Sequence, residues 1–394
     1  MQEQASSAEP GETAAPELGR PHARTMDLGQ GGLGRSGPLK DFFCPRPWEH
    51  FEVSSGGVAW VCCPAWLSTP IGNCREADIM DIWNSAASQR IRASILDGSF
   101  AYCGQQECPV IQNGSLMRRN ALPDARLERI LAQGLTVIDE PPRTFNLCYD
   151  ESCNLACPSC RAQPIHHTRG PAYEERLAIQ RRITSSLFSE PHTARFQVNV
   201  TGSGDPLGAK LMRDLLLGID GARFPNVTIH LQTNGVLLTP KYWRALGKIH
   251  DNLGQILVSF DAATPETYAY TRRGGDWERL NHNTRFLAER RAEGAFDWLR
   301  LDFVVQKRNF REIPAFVELA QRLRHVDQVT FALISDWGSY SPEAFAEHAV
   351  WRRDHPEHEA FLEGLRSPIL DDPMVYLGNV AEYRRQALRD GETR

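Results

Sequence analysis

The C-terminal part of this chain has no cysteine. All ten of its cysteines, in 394 residues, lie between Cys44 and Cys160. That distribution argues against a disulfide framework spread over the fold. Clustered spacings without a secretory start read instead as metal ligands in a reducing compartment, the cytoplasm. No apolar run approaches the length of a membrane span. No positively charged start leads into an apolar stretch, so neither a membrane anchor nor a secretory signal is expected. Positive charge is not in excess either: 44 Lys and Arg stand against 49 Asp and Glu, a formal charge of −5. This balance makes no electrostatic case for a nucleic-acid partner. Bulky apolar residues are scarce over residues 1–40, where Ala, Gly, Pro, Glu and Ser dominate. That is the composition of a disordered tail.

The character changes at Phe42 to aromatics and cysteines, and a small cysteine-rich domain is expected over residues 41–140. Within it Ile79, Ile82, Trp83, Ala86, Ile91 and Ile95 approximate a helical stripe, with Gly98 as a stop. A further helix is expected over Ala125 to Gln133, followed by a Pro141-Pro142 linker. Over residues 141–340 short β-rich runs alternate with amphipathic stretches. Strands are expected at 144–149, 196–201, 227–233, 256–261, 299–305 and 327–334. Helices are expected near 174–188, 207–218, 240–248, 276–292 and 311–323. Repeated βα units imply a parallel sheet, and six of them an α/β fold built on a partial (β/α)6 TIM-like barrel. Residues 341–394 read as a helical extension that packs on or caps the barrel.

The expected strands alternate. Phe196, Val198 and Val200 share one face of their strand, as do Leu299, Leu301, Phe303 and Val305. Gln197, Asn199, Gln232, Ser259, Arg300 and Asp302 fall on the other parity. Parallel strands covered on both faces are apolar almost throughout. Alternation therefore puts the apolar set under the outer helices and the polar set inside the barrel, where buried polar groups need partners. A polar ligand and water are the expected contents.

The run Thr144-Phe-Asn-Leu-Cys-Tyr-Asp-Glu-Ser-Cys-Asn-Leu-Ala-Cys-Pro-Ser-Cys160 starts strand-like and breaks into a loop. Cys153, Cys157 and Cys160 have the i, i+4, i+7 spacing of a helix face, but Pro158 falls inside that helix and would break it. Three thiolates can hold three irons of a 4Fe–4S cube and leave the fourth without a protein ligand. A zinc site would need a fourth ligand nearby, and only Cys148 offers one; free cysteine is more often a buried spectator. A second group comprises Cys44, Cys62, Cys63, Cys74, Cys103 and Cys108. Four thiolates complete a 4Fe–4S cube, and they equally suit a structural zinc.

The C-x3-C-x2-C spacing resembles the hallmark of the radical S-adenosylmethionine (SAM) superfamily, and further motifs extend the resemblance over residues 143 to about 336. Thr201-Gly-Ser-Gly-Asp-Pro206 follows the second expected strand, where the family has a Gly-Gly-Glu-Pro-like segment. The resemblance implies that Gly202 and Gly204 bring the backbone close to SAM, and that Asp205, standing for the family's Glu, meets its methionine amino group. Thr233-Asn-Gly235, Ser259-Phe-Asp261 and Arg272-Arg-Gly-Gly275 look like the family's segments around the ribose and carboxylate. Asn234, Ser259, Asp261 and Arg272 are thereby implied as cofactor contacts. Each motif ends a strand, where barrel active sites form. Asp302, Arg300 and Gln306 are expected to contact SAM or substrate.

The activity implied is one-electron cleavage of SAM at a 4Fe–4S cluster, giving a 5′-deoxyadenosyl radical that takes a hydrogen atom from an unactivated C–H bond. The substrate implied is a peptide side chain or a polar small molecule such as a sugar, and the electron donor a flavodoxin or ferredoxin. Cys44-x12-Gly57-x4-Cys62 resembles the opening of the SPASM auxiliary-cluster domain, and Ile82-Trp-Asn-Ser85 its middle. Cys44, Cys62, Cys103 and Cys108 are thus expected to hold one auxiliary 4Fe–4S cluster, with Cys63 or Cys74 able to replace one of them. Unlike the family pattern, this domain precedes the barrel and shows ligands for one cluster rather than two. A non-catalytic iron–sulfur carrier and a zinc-stapled binding module are the rival readings. His348, His355 and His358 in the polar tail are expected at the surface.

Overall fold

The computed structural model describes residues 39–392 apart from Asn113, Thr201 and Gly202. The expected tail therefore lies outside the described residues, except for Leu39 and Lys40. The core of the molecule is one ten-stranded sheet. In chain order its strands are β1 (His50–Ser54), β2 (Val58–Trp60), β3 (Gly72–Asn73), β4 (Thr144–Cys148), β5 (Phe196–Val200), β6 (Val227–Thr233), β7 (Leu253–Ser259), β8 (Trp298–Val305), β9 (Gln328–Leu333) and β10 (Val375–Tyr376). Strands β4 to β9 lie side by side in sequence order, each parallel to the next. Helices Pro171–Leu187, Lys210–Gly218, Pro240–Ala245, Trp277–Ala292 and Ile313–Leu323 fall between them. This is the partial barrel that the alternating βα pattern predicts.

Alternation in the sequence becomes alternation in burial. Phe196, Val198 and Val200 pack in the main core beneath the helices, as do Leu299, Leu301, Phe303 and Val305. Part of the polar inner face is satisfied within the chain. Gln197 Nε2 donates to Asn199 Oδ1 at 2.6 Å, Asn199 Nδ2 to Asn146 Oδ1 at 2.6 Å, and Asn146 Nδ2 to Glu52 Oε2 at 3.2 Å. The ligand space is correspondingly confined to the strands beyond β5.

His230, on β6, has the same inward parity. Burial pushes its pKa down to about 4, with Asp297 working in the opposite direction. A histidine held neutral in the fold binds its proton in the unfolded chain first, so the stability it contributes is complete above about 6.5 and lost as pH falls toward 4. His230→Gln is expected to flatten the pH dependence of the urea midpoint across that window, measured by circular dichroism.

The cysteine-rich segment is joined to the barrel through the sheet. β1 pairs in parallel with β4 from His50↔Thr144 to Ser54↔Cys148, and β2 and β3 extend the sheet outward in antiparallel fashion. The expected division at residue 141 thus crosses continuous backbone hydrogen bonding. Helix Ala125–Gln133 matches its expected bounds, capped by Asp124 and ended by Gly134 at φ 61°. The stripe from Ile79 splits into Ile79–Trp83 and Ala86–Leu96, where Ser85 caps the second piece.

The extension after Ser341 folds over the opposite edge and supplies β10, parallel to β9. It corrects the expectation for the tail histidines. His348, His355 and His358 are all buried. His355 Nε2 lies 3.1 Å from the Glu347 carbonyl and His358 Nδ1 3.1 Å from that of Val350. These two bond backbone in separate places, His348 Nδ1 is buried without a hydrogen-bond partner, and the three form no ligand group.

Candidate functional site

β4 runs out at Cys148 into an irregular loop that carries the three cysteines. Pro158 and Asn154 prevent a helix there, as their chemistry predicts. The loop is tied down by Cys153 N–H donating to the Ile165 carbonyl at 2.9 Å and by a turn from Cys160 N–H back to the Cys157 carbonyl at 2.9 Å. Cys153 and Cys157 are buried and Cys160 is exposed. All three line a cavity of about 330 Å³ at the C-terminal ends of the parallel strands. A larger cavity of about 510 Å³, at the opposite end of the sheet beside Arg126, Arg143 and Arg195, holds none of the predicted site residues.

Every one of the three sulfurs is met by a side-chain N–H. Asn234 Nδ2 lies 3.8 Å from Cys153 Sγ, Arg272 Nη1 3.9 Å from Cys157 Sγ, and Arg161 Nη2 3.2 Å from Cys160 Sγ. Burial pushes the Cys153 thiol up to about 11, reinforced by the Asp205 charge. Burial also raises Cys157, while the Arg272 guanidinium pulls it back. Metal coordination removes such protons outright. Four ligands around one zinc ion at about 2.3 Å stand about 3.8 Å apart. Among the described residues no three cysteine sulfurs lie within 4.8 Å of one another. Neither cysteine set is drawn together as tightly as the donors of a single zinc ion.

The structure brings most of the predicted contacts to this cavity. Asn234, Ser259, Asp261 and Arg272 line it, as do Arg300 and Asp302. Gly202 lies outside the described residues. Gly204 lines the cavity wall and also packs against the cysteine loop. A Cβ there would stand 2.3 Å from the Ser152 carbonyl and 2.7 Å from that of Asp150, so this glycine lets the segment press on the cysteine loop itself. Asp205 lines the cavity as well, and its carboxylate is engaged within the chain. Oδ1 accepts from the N–H groups of Leu207 and Gly208, both at 3.0 Å. Oδ2 accepts from Thr233 Oγ1 at 2.7 Å and Asn234 N–H at 2.8 Å. A carboxylate has about four acceptor positions, and all are taken, so the ammonium contact implied for Asp205 finds no free lone pair.

Gln306 is corrected too. It lies past the end of β8, where strand parity no longer holds. It is buried, its N–H donates to Asn309 Oδ1 at 2.8 Å, and it is not among the cavity-lining residues. Arg300 and Asp302, two apart on β8, pair with each other at 2.7 and 2.9 Å. Burial raises the Asp302 pKa and Arg300 opposes it. Asp261 sits at φ 57° and takes Arg272 Nη2 at 2.7 Å and the Val304 N–H at 2.7 Å.

The sequence reading missed the arginines that hold the loop. Arg273 donates to the carbonyls of Ala156 at 3.0 Å and Ala162 at 2.9 Å. Arg161 reaches the carbonyls of Glu151 and Ser203 as well as Cys160. Arg176 pairs with Glu151 at 2.6 Å and supplies the positive charge where Asp150, Glu151 and His167 converge. Position next to a ligand cysteine was the one available signal for Arg161.

In the N-terminal segment, Cys44, Cys62, Cys103 and Cys108 lie within electrostatic reach of one another in every pairing. Burial pushes Cys44 up to about 12, and the charges of Cys62 and Cys108 push in the same direction. Trp66 Nε1 donates to Cys62 Sγ at 3.2 Å. Cys63 turns toward Glu52 and Cys74 is buried near Arg182. Cys148 is raised well above its ordinary value by burial, near Glu52 and Cys63, and is absent from the cavity wall. If the gathered four are the ligands, Cys62→Ala is expected to lower iron content. Unchanged iron in that variant would contradict the ligand set.

Among the described residues no helix is long and apolar enough to cross a membrane. No curated protein matches the chain. Among solved structures, Streptococcus suis SuiB bound to S-adenosylmethionine is 18% identical over 50% of this chain and 40% of its own, at a TM-score of 0.34. TYW1 with a lysine–pyruvate adduct bound is 17% identical over 56% of this chain and 70% of its own, at a TM-score of 0.33. The chain thus spans two fifths of the length of the first. Residues 44–109 match the iron–sulfur cluster-binding domain family SPASM. The match falls on the segment in which the four thiols gather, and that segment is joined through one sheet to the partial barrel.

Proposed function

We propose that this chain is a radical SAM enzyme that abstracts a hydrogen atom from a peptide side chain or a polar small molecule such as a sugar. The observation that carries this reading is the three-thiol loop opening onto a polar cavity at the C-terminal ends of parallel strands. Cys153, Cys157 and Cys160 would hold the SAM-binding 4Fe–4S cluster. Cys44, Cys62, Cys103 and Cys108 would hold an auxiliary one. When bound, cluster and SAM together supply one-electron bond cleavage, chemistry that no side chain provides.

The chain's own residues position and enclose. Asn234, Ser259 and the Asp261–Arg272 pair form the wall beside the cysteines. Beside them on the neighbouring strand, with Asp302 opposite Ser259, Arg300 and Asp302 present an ion pair. Thr330 Oγ1 is buried without a hydrogen-bond partner, and Trp337, 59% exposed, lines the same cavity. An aromatic face beside hydroxyl and ionic groups suits a polar substrate with an apolar edge. A low-potential donor such as a flavodoxin or ferredoxin would supply the electron.

Anaerobically reconstituted protein, given dithionite and SAM, is expected to form 5′-deoxyadenosine. Bound iron without SAM cleavage would instead favour an electron carrier, and a colourless, zinc-rich protein a binding module.

A further inference from the structure

We propose that Arg161 sets the reduction potential of the SAM-binding cluster, holding it high enough for the physiological donor to reduce. The inference rests on the radical SAM reading and adds a role for a cavity-lining residue that the motifs do not name. Its basis is a difference between two arginines. Arg272 approaches Cys157 Sγ at 3.9 Å, but Asp261 lies 2.7 Å from its other guanidinium nitrogen and offsets its charge. Arg161 approaches Cys160 Sγ at 3.2 Å, and its other hydrogen bonds go to two neutral carbonyls, of Glu151 and Ser203.

A guanidinium cannot lose its proton under working conditions. Arg161 is also largely buried, where water screens it little. Burial works against its charge, and the thiolates of Cys160, Cys153 and Cys157 work for it. The positive charge therefore bears most directly on Cys160, with no carboxylate paired to the guanidinium, whereas Asp205 opposes it at Cys153 and Asp261 at Cys157. Reduction by one electron makes a cluster more negative. A fixed cation beside its sulfurs, with a hydrogen bond to one of them, favours that state, and both are recognised determinants of iron–sulfur potentials.

The experiment uses the anaerobic holoprotein poised at the wild-type midpoint. The reduced cluster is followed by the electron paramagnetic resonance signal that shifts when SAM is added. Arg161→Gln keeps an N–H donor and removes the charge. Its reduced-to-oxidised ratio is expected to fall at least tenfold, about 59 mV for a one-electron couple. Arg161→Lys keeps the charge and is expected to stay within threefold of wild type. An unchanged ratio in Arg161→Gln overturns the proposal. So does an equal fall in both variants, which would assign the effect to geometry. Loss of cluster iron from both would make Arg161 a brace for the loop and overturn it as well. A wild-type protein with no SAM-responsive signal would refute the radical SAM reading itself, an outcome distinct from these.

Discussion

Cys157→Ala is expected to abolish 5′-deoxyadenosine formation while the auxiliary iron stays bound. Two thiolates, Cys153 and Cys160, would remain where three are needed to grip a cube with one open corner. About four irons per chain should be lost, the content of one 4Fe–4S cluster. The substitution itself asks little of the fold, because the Cys157 side chain lines the cavity and the loop is tied through backbone groups of Cys153, Ala156 and Cys160. Iron analysis beside product assay checks the outcome. Disappearance of all the iron would contradict the division into two sites.

Arg272→Met is expected to destabilise the protein by about 3–5 kcal/mol in urea unfolding, the usual cost of removing one partner from a buried ion pair. Asp261 is buried and Arg272 mostly so, and the Asp261 carboxylate would keep only the Val304 N–H as a partner. Burial already raises the Asp261 pKa, and Arg272 is the main force opposing that rise. The double variant Arg272→Met/Asp261→Asn should recover most of the loss, since an amide oxygen can still accept from Val304 and no charge is stranded. If the double variant is as unstable as the single one, the stranded carboxylate is not the cause.

The barrel was legible because its information is local. Alternation in Phe196, Val198 and Val200 places an apolar face without knowledge of anything distant, and Pro158 excludes a helix wherever the loop goes. The pairing of β1 with β4 was not legible, because nothing in His50-Phe-Glu-Val-Ser54 names a partner strand some ninety residues on (His50↔Thr144). The same limit explains Asp205 and Arg161. Their residue types fit several partners, and only the fold shows that Asp205 spends its lone pairs on Thr233, Asn234, Leu207 and Gly208. The tail histidines looked solvated because their immediate neighbours in sequence are charged. The carbonyls that His355 and His358 meet lie eight residues upstream, brought round by a turn of the tail that the charged residues do not signal.

The register of the outer strands has a consequence for division of labour. Cys44 precedes β1, and Cys62 follows β2, which runs back antiparallel to it with Trp60 opposite Glu52. Both therefore sit by the beginning of β1. Cys153, Cys157 and Cys160 follow the far end of its parallel neighbour β4. Five residues of strand at about 3.3 Å each hold the two thiol gatherings about 16 Å apart along the strand direction. No member of the first gathering lines the cavity. A metal centre at that foot would stand apart from the cavity wall, tied to it only through the ribbon of strands between them.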